Sequence, residues 1–469
     1  MRLGIARFGT LAALALLAGV GCDGRVNDDE NFFVLTFRAS LNPTGAELTG
    51  PSERPQITPD GRYVVFQTRA AGLDPDPLLV DENGKFDIYR KDLATGAVAR
   101  VSVEGLNILD QDGTRDPSDN CINPSISPDG RYVVFESTST DIVENAGGSG
   151  KPDIFLRDMQ ASECVWISVP NVGTNSDGPS RNATISDDGR YVAFQSEATN
   201  LVPVDGNGNF SDIFVRDTLF STTALISKDV NGVQATGGNS ENPAISGDGQ
   251  RVAFDSDASN LVLGDLASRD VFLKDWLAIV PTVTRVSIEG PGDLDGDGDL
   301  VNTNGNSFQP TVSQDGRFVA FISAASNLVV GDNNELNGLP VEDIYVRDTS
   351  LSVTSRVSLS SRDGEPSQHS RAPQISRDGR WVTFNSTAPD LVPDDRNNAD
   401  DVFLRDTVTR TTIRISVATY GIESAPFFDS RLPSITSDGR FVAFTSLAPN
   451  LAPNDTNGTS DIFIRGPLY

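Results

Sequence analysis

The chain is predicted to be all-β: a seven-bladed β-propeller with four-stranded blades, its last blade closed by a strand from the N-terminus. Three observations lead there. A stretch of the type Ser-x-Asp-Gly-Arg-Tyr-Val-Ala-Phe returns seven times, at Asp60, Asp129, Asp188, Asp248, Asp315, Asp378 and Asp438. Successive aspartates lie 69, 59, 60, 67, 63 and 60 residues apart, a period that marks an array of similar supersecondary units. Finally, 42 Gly and 27 Pro without a long helical pattern suit a turn-rich β chain.

Each repeat reads as four short strands. The first, such as Pro124 to Ser127, ends at the Asp-Gly pair, which suits a tight hairpin because Gly tolerates positive φ. The second is the Arg-Tyr-Val-Val-Phe run, as at Arg131–Phe135, and it shows no polar alternation. Both of its faces are therefore covered, as in a blade sandwiched between neighbours. The third is Asp-Ile-Phe-Leu-Arg-Asp, seen at Asp153–Asp158 and echoed from Asp212, Asp270, Asp343, Asp401 and Asp461. The fourth ends in a short Arg/Ile-Ser element, as at Arg285–Ile288 and Arg414–Val417. Four strands in each of seven repeats make a seven-bladed propeller.

The seventh repeat runs through Asp461–Arg465 and has no fourth strand before Tyr469, whereas Phe33–Leu41 looks like an orphan fourth strand ahead of the first repeat. The N-terminal strand is expected to complete the last blade, removing two exposed sheet edges.

Residues 1–21 carry Arg2 and Arg7 and then an apolar run from Leu11 to Val20, which reads as a secretory signal too short to span a bilayer. Gly19-Val20-Gly21-Cys22 is similar to a bacterial lipobox, with Gly19 where Leu is usual; a plain signal peptide with an incidental cysteine is the alternative. Residues 22–32 then form a polar tether behind a lipidated Cys22, and residues 33–469 form the propeller. The expected location is the bacterial cell envelope, periplasm or outer surface, with membrane contact through the lipid anchor only. A monomer is expected.

Formal net charge is −28, from 37 basic and 65 acidic residues. Such a surface repels phosphates and argues against nucleic acid as a partner. It favours cations or basic partners, or simply a solvated surface. Cys121 and Cys164 are an even pair that could form a disulfide outside the cytoplasm, or stay as two thiols. No Cys/His pattern suggests zinc.

The strongest metal signal is Asp293-Leu294-Asp295-Gly296-Asp297-Gly298-Asp299, with Asn304 at the twelfth position. Alternating acids around a turn converge hard oxygens on one point, as calcium requires; a solvated acidic insertion is the alternative. A second family of loops shares Asp-x-Asn-x-x-x-Asp: Asp81/Asn83/Asp87, Asp395/Asn397/Asp401 and Asp455/Asn457/Asp461, with Asp205/Asn207/Asp212 one residue longer. These residues suit a small oxygen cage for calcium. The structural reading is favoured over it: Asp and Asn stabilise turns through their own backbone, the final Asp bracing the third strand. In a four-stranded blade these loops share a face with the blade-to-blade connections, and that acidic face is the expected recognition surface.

The repeated Ser-x-Asp-Gly-Arg-Tyr/Phe-Val-Ala-Phe-x-Ser and Asp-Ile-Phe-Val-Arg-Asp elements resemble the TolB-like family of propellers with WD40-like repeats, over residues 33–469. The resemblance implies the fold; propellers host many tasks, so function rests on the site. The sole histidine, His369, lies in a polar loop, and no Gly-x-Ser-x-Gly elbow is present. Trp166, Trp276 and Trp381 fall in strand motifs and read as packing. The function expected is a non-catalytic envelope scaffold that binds a protein or other ligand. The alternative is a carbohydrate- or peptide-active enzyme using acidic residues near the central channel.

Overall fold

A computed structural model describes residues 34–73, 81, 83–103, 117–143, 150–173, 175–208, 210–265, 268–289 and 303–468. Seven four-stranded antiparallel sheets follow one another around an axis. Blade 1 comprises Ser52–Ile57, Tyr63–Thr68, Asp87–Asp92 and Val98–Arg100. Blade 2 comprises Cys121–Ile126, Tyr132–Ser137, Asp153–Asp158 and Glu163–Trp166; blade 3, Ser180–Ile185, Tyr191–Ser196, Asp212–Asp217 and Thr222–Leu225. Blade 4 comprises Ser240–Ile245, Arg251–Ser256, Asp270–Asp275 and Thr282–Arg285; blade 5, Ser307–Val312, Phe318–Ser323, Asp343–Asp348 and Val353–Arg356. Blade 6 comprises Ser370–Ile375, Trp381–Ser386, Asp401–Asp406 and Thr411–Arg414. Blade 7 comprises Ser430–Ile435, Val442–Ser446 and Asp461–Gly466, and takes its fourth strand, Leu35–Arg38, from the start of the ring. Pairing runs from Leu35 opposite Gly466 to Arg38 opposite Phe463, so the expected closure is present. Lys91 of blade 1 tightens the join by donating to the carbonyls of Ala39 and Leu41 at 2.9 and 3.2 Å. One expectation needs correcting. The fourth strands of blades 4 and 6 end at the arginine, and the following Ser287 and Ser416 lie in the connections.

The repeat explains the blades. In every copy the Ser or Thr hydroxyl donates to the Asp two residues on, at 2.5–2.7 Å. That carboxylate also accepts the backbone N–H two residues further, at 3.0 Å. The glycine between them needs positive φ, and at Gly189 a Cβ would lie 2.2 Å from the Tyr132 ring of the preceding blade. Apolar second and third strands pair ring on ring within each blade: Phe135 on Phe155, Phe194 on Phe214, Phe384 on Phe403, all fully buried. Each core cluster joins two neighbours, as where Val134, Ile154 and Leu156 of blade 2 meet Val192, Phe194 and Phe214 of blade 3. Burying each such ring stabilises by roughly 1.5–3 kcal/mol.

The antiparallel order gives the ring two distinct faces. Hairpins joining strands one to two and three to four lie on the turn face. Loops joining strands two to three, and the blade-to-blade connections, lie on the loop face.

Candidate functional site

The seven first strands line the axial channel. Toward the turn face, one isoleucine or valine from each, Ile57 through Ile435, rings a cavity of about 170 Å³. Its floor is made by the variable residue of six of the seven turns, Pro59, Pro128, Asp187, Gly247, Gln314 and Arg377. Backbone N–H groups chain these residues together, Asp187 to the Gly247 carbonyl (2.9 Å), Gly247 to that of Gln314 (2.8 Å) and Gln314 to that of Arg377 (3.0 Å). Across the axis, Arg377 Nη1 donates to Asp187 Oδ1 at 2.7 Å, and a second contact joins Arg377 Nη2 to Oδ2. Gln314 adds a bond to the same carboxylate at 3.1 Å. Gly247 is small by need, since a Cβ there would lie 2.6 Å from Asp187 Oδ2. The turn-face end is thus bolted between blades 3 and 6.

Toward the loop face each first strand carries a bulge whose third residue is left-handed: Arg54, Asn123, Asn182, Asn242, Gln309, Ala372 and Leu432, with φ from 51° to 56°. Such a conformation is unusual for non-glycine residues, and here the preceding blade holds it. The N–H groups of Asn123, Asn182, Asn242 and Gln309 donate to Gln67, Glu136, Gln195 and Asp255 at 2.7–3.0 Å, and Arg54 N–H donates to Thr445 at 3.2 Å. Burial raises the carboxyl of Glu136, and pushes that of Asp255 to about 6 despite the neighbouring Arg269. Four arginines stand on the first strands of this half: Arg54, Arg181, Arg371 and Arg431. Arg371 is held by Glu342 at 2.6 Å, and Arg431 by Asp400 and by Asp429 at 2.9 Å. Arg54 and Arg181 are exposed and make no ion pair or side-chain hydrogen bond among the described residues.

The structure brings the Asp-x-Asn-x-x-x-Asp residues together, and the cation among them is an arginine. Arg414 reaches Asp395 (3.1 Å), Asp401 (3.4 Å) and Glu423 (2.8 Å). Arg38 reaches Asp455 (3.4 Å), Asp461 (3.1 Å) and Glu47 (2.7 Å), the three acids whose oxygens converge within 4.8 Å. Arg100 pairs with Asp87 at 2.5 Å, with Asp81 buried and Asn83 half-buried in the same loop. The same cage recurs around Arg356, with Asp332, Asp343 and Glu365, and around Arg285, with Asp265 and Asp270. Blade 3 differs, having Leu225 at the arginine position. There Gln234 donates to Asp205 (2.7 Å) and Asp212 (2.8 Å), and Asn207 donates to Asp212 (2.7 Å). The final Asp of each loop also accepts from a serine hydroxyl just past the fourth strand, as Asp212 does from Ser227. Asn397 and Asn457 cap their own turns by accepting from Ala399 and Thr459. The arginines escaped the sequence reading as cage members, although the Arg-Ile/Val-Ser element was its signal.

Asp293, Asp295, Asp297 and Asp299 lie outside the described residues, as does Cys22. Asn304 is described and bonds to Ser326 and Asn327 across the connection. The disulfide alternative is corrected: Cys121 and Cys164 are both free thiols. They stand on the first and last strands of blade 2 with two strands between them, beyond the roughly 7 Å Cα separation a disulfide spans. Burial raises both thiols, Cys164 to about 12. His369 accepts the Glu342 N–H through Nδ1 at 3.0 Å. Trp276 packs edge-on to Tyr191, and the indole N–H of Trp166 donates to Ser168. No helix among the described residues is long and apolar enough to cross a membrane.

No protein-family model matches the chain, and no curated protein matches it. Solved structures do. An oligogalacturonate lyase in complex with manganese is similar at TM-score 0.51 and 13% identity, over 92% of this chain and 93% of that one. TolB from Acinetobacter baumannii matches at TM-score 0.39 and 15% identity, over 79% of this chain, which spans 64% of the TolB length. A putative TolB from Agrobacterium tumefaciens matches at TM-score 0.38 and 16% identity, over 74% of this chain and 91% of that one. The chain is a seven-bladed β-propeller, and TolB proteins stand among its structural neighbours together with enzymes of the same fold.

Proposed function

We propose that this chain is a non-catalytic scaffold of the bacterial cell envelope, exported and lipid-anchored through Cys22, that binds a protein or other ligand on its loop face. The observation that carries the reading is the contrast at the channel. Its turn-face end is bolted by Asp187 and Arg377, while its loop-face end keeps Arg54 and Arg181 exposed and unpaired among the described residues. The catalytic alternative finds less support, because Glu136 and Asp255, the buried carboxylates beside the channel, are spent on blade-to-blade hydrogen bonds. Calcium belongs to the proposal at the Asp293–Asp299 loop. In the Asp-x-Asn cages, arginine or amide donors already meet the carboxylates. Melting the protein in calcium and in chelator tests the metal, with a higher Tm in calcium expected. The binding role is tested by cross-linking the tagged protein in its own envelope and identifying captured species by mass spectrometry. A recurrent stoichiometric partner is expected; a profile matching that of an untagged control contradicts the scaffold.

A further inference from the structure

We infer that the loop-face end of the axial channel is an oxyanion site, in which Arg54 and Arg181 bind the carboxylate or phosphate group of a small ligand. The inference rests on the loop face being the binding surface and adds the chemistry of what binds there.

In a chain of net charge −28, acids are abundant enough to neutralise most arginines, and the structure shows them doing so. The turn-face arginines Arg62, Arg131, Arg190, Arg317 and Arg380 each hold an aspartate of the same blade. Arg181 shows why it is an exception. It occupies the same first-strand position as Arg371 and Arg431, which reach back to the residue ahead of the third strand in the preceding blade, Glu342 and Asp400. For Arg181 that residue is Pro152, which offers no carboxylate. Arg54 stands one position further along the first strand of blade 1, its backbone N–H held by Thr445 and its side chain exposed.

The two arginines stand at one mouth of the channel, on the first strands of blades 1 and 3 with blade 2 between them. The charges of both Arg181 and Arg54 bear on the same buried carboxyl, Glu136 of blade 2, which lies between their blades. Guanidinium forks match the paired oxygens of carboxylate and phosphate, and two of them at one channel mouth offer an oxyanion directed hydrogen bonds as well as charge. The bolt crosses the channel at its turn-face end, and the two arginines stand at the opposite, loop-face end.

The test is isothermal titration of the full chain, at low ionic strength, with tricarballylate in one arm and pyrophosphate in the other. The wild type is compared with an Arg54→Gln/Arg181→Gln double variant, and with Arg62→Gln/Arg131→Gln on the turn face as control. Saturable binding of at least one probe is expected, weakened by roughly tenfold or more in the first variant and unchanged in the control. Which probe binds separates a carboxylate ligand from a phosphate ligand. No saturable binding of either probe to the wild type overturns the assignment, as does equal affinity in the double variant. A partner captured by cross-linking despite that failure would leave the scaffold reading standing, and loss of both would remove it as well.

Discussion

The two faces of the ring carry the same chemical pair, aspartate with arginine, in opposite settings. On the turn face Arg131 holds Asp158 with side chains 39% and 14% exposed; on the loop face Arg414 holds Asp395 at 7% and 4%. The aspartates of the two faces respond in opposite senses, while the half-exposed cage glutamates Glu47 and Glu423 are lowered, because backbone and arginine hydrogen bonds outweigh their burial. Arg131 draws Asp158 down to about 2, and Arg317 lowers Asp348. Burial instead pushes Asp343, Asp395 and Asp455 up to about 6, against their arginines. Turn-face pairs are solvated staples, each within one blade. Loop-face cages are desolvated and join each outer strand to its loop. The same division appears on the axis, where the turn-face end is satisfied internally and the loop-face end is not. The channel end that neutralises its own charges holds the ring; the end that leaves two cations open among the described residues is available for recognition.

The largest effect should come from removing the element that joins the two ends of the chain. Deleting residues 34–41 takes away the closing strand and leaves Asp455 and Asp461 without Arg38, at a cost above about 5 kcal/mol in denaturant unfolding. Breaking one loop-face cage comes next. Arg414→Met should cost about 3–5 kcal/mol because it strands buried carboxylates, while Arg131→Met on the turn face should cost under about 1 kcal/mol. Equal losses would erase the distinction between the faces. Asp187→Ala should cost about 1 kcal/mol, and Arg377→Ala should add little to it in the double variant, as partners in one pair do.

The pH dependence sharpens the contrast. Asp212, Asp343, Asp395 and Asp455 have folded values near 6, above the unfolded value of about 3.9. Between those values the folded state binds more protons, so stability should rise as pH falls from 7 through 6 toward 4. For Asp158, near 2 when folded, the sign reverses; its contribution is present above about 3.9 and is lost as pH falls toward 2. Thermal melts across pH 3 to 7.5 should therefore peak on the acidic side, near pH 4–5 by these values. A flat or monotonically falling Tm below pH 7 would contradict the loop-face assignment. The smallest effect belongs to Arg54→Gln with Arg181→Gln, under about 0.5 kcal/mol, since neither side chain holds a partner among the described residues.

The blade architecture was legible because its bonds are local: Ser186, Asp188, Arg190 and Tyr191 pin one another within five residues, and the pattern returns seven times. The closing strand was legible as a missing fourth strand. The cages were half legible. Asp401 and Asn397 stand four residues apart and suggested an oxygen cluster, but the arginine that fills it enters from the neighbouring strand, 13 residues on. In blade 7 the corresponding arginine is 423 residues away. The bolt had no local signal, since Asp187 and Arg377 lie 190 residues apart at the variable position of the repeat. Its meaning comes from ring geometry, as does that of Pro152, which matters only because Arg181 reaches toward it.

The division of labour between the faces is tested most directly by placing a benzophenone-bearing phenylalanine at Phe427 on the loop face, and separately at Phe220 on the turn face. Both side chains are exposed, at 76% and 67%, so the replacement preserves aromatic character and disturbs little packing. Irradiation in the native envelope should give a discrete cross-linked species from Phe427 and none from Phe220. A cross-link from Phe220 alone, or equal yields from both, would contradict the assignment of recognition to the loop face.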